Sequence, residues 1–199
     1  MNKDDLYIMK KNLFEGKLVR LRAVKEEDWQ FFHTWDENSE TARNSYSIPF
    51  PRSPQGTRQW VQETSLSQIK NDQFRFVIEK LDGQIVGTLN THNCDRRNGT
   101  FSYGLAIVDN FRHHGYSTEA ILLTLNYFFK ELRYQKCTVG VYSFNIASIK
   151  LHEKLQFTRE GRIRRMEFSN GQYHDHIQFG ITIEEFDHHH GARFKHPLT

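Results

Sequence analysis

From Phe74 to Ile107 the chain runs through three alternating apolar segments, the first two closed by turn residues. Phe74, Phe76 and Ile78 alternate before Asp82-Gly83, and Ile85, Gly87 and Leu89 alternate before Arg96-Arg97-Asn98-Gly99. Phe101, Tyr103, Leu105 and Ile107 then complete the third segment. A period of two with such turns predicts three antiparallel strands in succession. The period then changes. Residues 117–134 place Ile121, Leu125, Phe128 and Leu132 along one helical stripe, and residues 136–144 form a short buried strand with Val139 and Val141. A helix between two strands of one sheet implies a right-handed parallel crossover. The sheet must therefore switch from antiparallel to parallel near its middle.

The flanks fit the same architecture. Residues 18–24 alternate as a strand, with Leu18, Arg20 and Arg22 on one face and Val19 and Leu21 on the other. Residues 25–38 carry Trp29, Phe32 and Trp35 at helical spacing, behind Glu26, Glu27 and Asp28, where the helix dipole favours acids. Ser53 and Pro54 read as the N-cap and first-turn proline of a helix reaching about residue 70. Asn145 caps a helix to residue 156, and residues 161–169 and 172–182 close the chain as a hairpin about Asn170-Gly171. The fold class is mixed α/β, a mostly antiparallel sheet of about seven strands flanked by about four helices. One domain spans residues 17–186. Residues 1–16 read as a loosely ordered extension, and residues 187–199, with His188, His189 and His190, as a tail.

Composition narrows the function. Hydrophobic residues make up 37% and mean hydropathy is −0.71, but 16 Phe, 8 Tyr and 3 Trp restore the volume a core needs. No apolar run approaches the roughly 18 residues of a membrane helix, and residues 1–16 lack a signal peptide's apolar stretch. A net charge of +3, from 27 basic and 24 acidic residues, is too weak to imply nucleic acid. Arg162, Arg164 and Arg165 read as a solvated strand face. Cys94 and Cys137 fit reduced thiols in a cytoplasmic protein. His174 and His176, like His188, His189, His190 and His196, do not reach three converging ligands, so no metal is expected.

The informative segment is Phe111-Arg112-His113-His114-Gly115-Tyr116-Ser117-Thr118-Glu119-Ala120, which follows a strand and opens a helix. A helix start presents unpaired N–H groups and partial positive charge, which suits an anion. Gly115 lets backbone approach a diphosphate, Arg112 adds charge, and Ser117 and Thr118 add hydroxyls. One glycine alone reads more readily as an ordinary strand-to-helix turn.

With the order of elements and a second motif, the chain resembles the GNAT superfamily of acyl-CoA N-acyltransferases, most closely the ribosomal-protein N-acetyltransferase type. The family's pyrophosphate loop, Gln/Arg-x-x-Gly-x-Gly/Ala, is matched by residues 112–117 except for Ser117. The later motif, an Asn then a helix ending Leu-Tyr-Glu-Lys-x-Gly-Phe, appears as Asn145 and Leu151-His152-Glu153-Lys154-Leu155-Gln156-Phe157. The resemblance spans about residues 17–186. It implies an enzyme moving an acetyl group from acetyl-CoA to a primary amine, a protein N-terminus or a small amine, by direct attack in a ternary complex. The strand ending at Ala106 and Ile107 would splay from residues 139–141, and the pantetheine arm would lie between. The amides of His113, His114, Gly115, Tyr116 and Ser117 would hold the pyrophosphate with Arg112 and Thr118, while Asn145 and Ser148 would flank the pantetheine. Backbone N–H groups of the splayed strand would stabilise the oxyanion.

Three departures stand out. His152 replaces the tyrosine that serves relatives as general acid, and is either that acid or a core side chain. Gln156 replaces a helix-ending glycine, which implies a strained or rearranged C-cap. Ser117 adds a Cβ to the loop. The base is open: Ser102 stands where relatives often carry a glutamate, leaving His92, His174 or Asp175 to act through water. Trp35, Glu37 and the loop from Tyr46 to Phe50 would wall the acceptor site with His92 and Ser102. Partners expected are acetyl-CoA and the amine, without nucleic acid or membrane, in a monomer or homodimer. The rival reading is a catalytically silent acyl-CoA-binding module.

Overall fold

The computed structural model describes residues 12–45 and 48–194. Seven strands are present: β1 Val19–Ala23, β2 Arg75–Lys80, β3 Ile85–Asp95, β4 Thr100–Ile107, β5 Lys136–Tyr142, β6 Thr158–Ser169 and β7 Gln172–Thr182. They form one sheet of order β1-β2-β3-β4-β5-β7-β6. Its pairs are antiparallel except β4 with β5, the parallel step the change of period predicts.

Six α-helices are described: α1 Trp29–Asp36, α2 Ser39–Ser45, α3 Pro54–Leu66, α4 Tyr116–Lys130, α5 Ile146–Lys154 and α6 Ile183–His190. Two of these exceed the expected four. The sequence of α2, Ser-Glu-Thr-Ala-Arg-Asn-Ser, contains no large apolar residue, so periodicity carries no sign of it. Helix α6 corrects the expected tail at residue 187. Thr182 and Glu185 form a reciprocal capping box, Phe186 and His190 are buried four residues apart, and His190 Nε2 donates to Leu155 O at 2.9 Å. The three histidines are its last turn, where cations suit the dipole. Residues 1–11 of the expected extension, Tyr46 and Ser47 of the acceptor loop, and residues 195–199 lie outside the described residues.

Helix α4 is buried nearly all round, because three layers cover it. The sheet supplies Phe101, stacked on Phe128 at 3.9 Å; the N-terminal segment supplies Phe14, 4.8 Å from Tyr127; α6 supplies Phe186, 5.5 Å from Phe129. The opposite sheet face carries a smaller core of Val24, Phe32, Val61 and Val77 beneath Trp29 and Trp60, which seats α1 and α3. Ser53 Oγ accepts from Gly56 N at 3.1 Å, the N-cap expected for α3. Helix α4 stops four residues short of the expected end, at Lys130, since Arg133 turns left-handed and Tyr134 swings in to donate to Asp72.

Buried charge pins the edges. Glu79 takes Arg20 and Arg22 together, and Arg22 also holds Asp28 through two bonds of 2.8 and 2.9 Å, tying β1, β2 and the turn before α1. Asp72, buried, receives Arg96 and the Tyr134 hydroxyl at 2.8 Å. The Arg96 guanidinium and that hydroxyl hold the Asp72 carboxyl below the usual carboxylate range, against the effect of burial.

Two outcomes follow for stability. Gln156 sits at φ 63°, where its N–H bonds Glu153 O and Phe157 N–H bonds His152 O, so the left-handed cap is kept without glycine. Gln156→Gly should therefore gain about 1 kcal/mol, seen as a melting temperature higher by about 2–4 °C; an unchanged or lower value contradicts the strain. Asp72→Asn should cost about 2 kcal/mol at pH 7. Because the folded pKa is the depressed one, this contribution is complete above the unfolded value near about 3.9 and is lost as pH falls through the lower folded value. Denaturant melts of wild type and variant should accordingly converge in strong acid.

Candidate active site

The β4–β5 ladder is two residue pairs long, Thr100 with Lys136 and Phe101 with Cys137. Beyond Phe101 the strands part, each still fully laddered to its other neighbour. Thr88 pairs with Ala106 and Asn90 with Gly104, and Val108 N–H donates to Val86 O at 2.9 Å. Strand alternation then aims the backbone groups of Tyr103, Leu105 and Ile107 away from β3, into the gap. Ala106 is thus satisfied on β3, and the gap edge is written by its neighbours. Ser102 Oγ and Thr138 Oγ1 meet at 3.2 Å across the apex.

The loop leading into α4 lies at the end of β4. His113 at φ 65° and Gly115 at φ 85° are both left-handed, a conformation that turns successive N–H groups to one side as an anion nest. Gly115 is the N-cap residue, and the first helical bond runs from Glu119 N to Gly115 O, so the amides of Tyr116, Ser117 and Thr118 precede it. A Cβ on Gly115 would lie 3.3 Å from Leu18 Cδ1 on top of the positive φ. Ser117 is in the first turn of α4, past this tight point. Glu119 accepts the amides of Lys17, Leu18 and Val19 at 2.7–2.9 Å, which spends its charge on the start of β1 and binds that strand under the loop. Arg112 pairs with Asp109 at 2.6 Å and reaches Ile107 O at 3.4 Å, bracing the turn between β4 and the nest. His114 donates Nδ1–H to Arg112 O at 2.7 Å and stacks on Tyr116.

Across the gap, Asn145 Oδ1 accepts Ser148 N–H at 3.1 Å and starts α5. Ser148 O accepts the Nδ1–H of His152 at 2.8 Å, and His152 Nε2 lies 2.8 Å from the Tyr103 hydroxyl. A carbonyl can only accept, so Nδ1 carries the proton and Nε2 of the neutral ring takes the Tyr103 O–H. His152 is 5% exposed, between Tyr103 and Phe179 with Phe157 edge-on, and burial lowers its pKa. As a proton donor the ring is poorly equipped: its one N–H is committed to backbone.

The other sheet face carries the expected acceptor residues. His92 pairs in register with Ser102, so both project from that face, and burial lowers the His92 pKa. His176 on β7 lies over Gly140 of β5, in the space a Cβ would take, with Nδ1 3.9 Å from Glu167 Oε1. Asp175 is instead tied to Arg162 and the Arg165 amide, and Phe144 packs on His174. Trp35 packs edge-on to Phe31 at 4.8 Å, and Glu37 is exposed at the end of α1. The neighbouring Asn38 reaches Asp109 at 3.4 Å, so this corner abuts the turn after β4. Among the described residues no three His, Cys, Asp or Glu side chains group as a metal site. Sequence reasoning passed over Tyr103 and Thr138. The available signal was a hydroxylated ring in a buried strand, which needs a partner, with a histidine on the helix above it.

A mixed sheet opened beside a left-handed loop at a helix start is the architecture of a class of acetyl-transferring enzymes, and the family to which the chain belongs is of that class. The profile of the Acetyltransferase (GNAT) domain matches residues 19–158. The SPbeta prophage-derived uncharacterized N-acetyltransferase YokL of Bacillus subtilis (strain 168) is 47% identical over 176 residues, 88% of this chain and 96% of its own. Spermidine N(1)-acetyltransferase of Escherichia coli (strain K12) is 28% identical over 182 residues, 90% of this chain and 91% of its own. The solved ribosomal-protein acetyltransferase RimL, in complex with coenzyme A, shares the fold at TM-score 0.75 and 20% identity, over 85% of this chain and 97% of that one. The chain belongs to the GNAT acetyltransferase family and is an N-acetyltransferase by type.

Gly115→Ala should weaken acetyl-CoA binding at least tenfold, with a melting temperature within a few degrees of wild type, by calorimetric titration. Unchanged affinity would remove the nest from the cofactor site.

Proposed function

We propose that the chain transfers an acetyl group from acetyl-CoA to a primary amine in a ternary complex. The observation that carries this reading is the two-pair β4–β5 ladder opening toward the left-handed loop of residues 113–115. The amides of residues 113–118 hold the pyrophosphate, with Arg112 beside them. The pantetheine arm lies along the gap edge of β4, from Tyr103 to Ile107, with Asn145 and Ser148 on the α5 side. A backbone N–H on that edge receives the oxyanion when the amine adds to the thioester carbonyl.

The acceptor enters from the opposite face, past Trp35 and Glu37, toward His92 and Ser102. His92, kept neutral by burial, draws the amine's proton directly or through one water, and His176 is the second imidazole on that face. A covalent relay through cysteine is disfavoured: Cys137 is fully buried, and burial raises both the Cys137 and Cys94 thiols, leaving little thiolate. The acceptor is a protein N-terminus or a small amine; relatives named for spermidine and for a ribosomal protein represent the two kinds. The protein is read as cytoplasmic, which its two free thiols suit, and as a monomer or homodimer.

The test is titration with acetyl-CoA and desulfo-CoA, followed by thiol release over a panel of polyamines, amino acids and N-terminal peptides. Micromolar binding with amine-dependent thiol release is expected. Binding without release on any amine would favour the silent acyl-CoA module, for which the missing carboxylate at Ser102 speaks. No binding would overturn both readings.

A further inference from the structure

Tyr103 is the first residue past the last β4–β5 pair whose side chain shares a face with Phe101, the face covered by α4 and α5. Its hydroxyl meets His152 of α5, whose ring stacks on Phe179, the β7 partner of Val139 on β5, so the Tyr103 side chain runs from β4 toward the β5 side. Two bonds fix the direction of its proton. Ser148 O claims His152 Nδ1–H, which leaves Nε2 bare, and the Tyr103 O–H must then be the donor in the 2.8 Å bond. The imidazole cannot swing aside, being stacked against Phe179 with Phe157 at its edge. Of the other protic side chains here, Cys137 belongs to the last closed pair and is buried, Thr91 beside Tyr103 on β3 spends its hydroxyl on Asp72 O, and Ser148 Oγ lies 3.4 Å from His152 Nδ1.

From this geometry, and resting on the acetyl-transfer reading above, we infer that Tyr103 gives the proton to the departing CoA sulfur and that His152 is the residue that positions it. When the tetrahedral adduct collapses, the carbon–sulfur bond breaks and its electron pair stays on sulfur. The Tyr103 O–H turns from His152 Nε2 to the thiolate, the stronger acceptor, and the proton moves to sulfur. The proton shed by the former amine nitrogen returns, through the acceptor-side imidazoles or water, to restore the phenol. Atoms and charge balance without a further reactant. Burial raises the Tyr103 pKa well above that of free tyrosine, so the hydroxyl carries its proton in the resting site.

Three enzymes test this: Tyr103→Phe, His152→Gln, and a full-length chain carrying 3-fluorotyrosine at position 103. The Tyr103→Phe enzyme should bind acetyl-CoA within about twofold of wild type by calorimetry while kcat falls at least tenfold. His152→Gln should lose less, with the loss again in kcat and not in the KM for acetyl-CoA. Fluorination, which makes the phenol more acidic at nearly constant shape, should move kcat at least twofold at unchanged melting temperature. The inference is overturned if Tyr103→Phe keeps more than half of wild-type kcat, if His152→Gln is the more damaging change, or if fluorination leaves kcat unmoved. Wild type that binds acetyl-CoA yet acetylates no amine would instead sink the transfer reading, and this inference with it.

Discussion

Two parallel residue pairs join the halves of the sheet, and what lies beyond them depends on their being so few. An antiparallel block, β1 to β4, and a second, β5 with β7 and β6, each complete their own ladders and meet at Phe101 and Cys137. A buried strand edge without partners is costly, since each unpaired amide or carbonyl forfeits about 1–3 kcal/mol. On that edge Tyr103 is bonded to His152 of α5, the helix that starts at Asn145. In the function proposed here, the extended, amide-bearing pantetheine arm supplies the missing strand and recovers that cost as affinity.

The same economy governs the mouth of the gap. The helix start at Gly115 offers amides and the positive end of the α4 dipole, while the acid in its first turn, Glu119, is consumed by three amides of the β1 segment. The carboxylate thereby stabilises the helix end and anchors the first strand. Buried carboxylates at Glu79 and Asp72, each paired with arginine, tie β1 to β2 and the start of β2 to the turn after β3, so that side of the sheet is held firmly while its centre is splayed.

Much of this was legible in the chain. Period-two runs located the strands, and the change of period at residue 117 located the parallel step. The loop of residues 112–117 and the Asn145 cap marked the two sides of the gap. What was not legible had physical reasons. Helix α2 has no apolar stripe, and α6 hides a buried Phe186/His190 face behind a histidine run that reads as tail. Tyr103 looked like one more apolar member of an alternating strand, because nothing local tells which core ring carries a hydroxyl aimed at a neighbour. The tautomer of His152 was likewise hidden, because it is set by Ser148 O and not by sequence.

The most direct test of the account is amide hydrogen exchange at single-residue resolution, with and without acetyl-CoA. If a pantetheine arm completes the sheet, the amides of Leu105 and Ile107 should slow sharply on binding, together with those of residues 116–118, while Ala106 changes little. Protection confined to the loop, with Leu105 and Ile107 exchanging as before, would mean the opening between β4 and β5 is not where the cofactor lies.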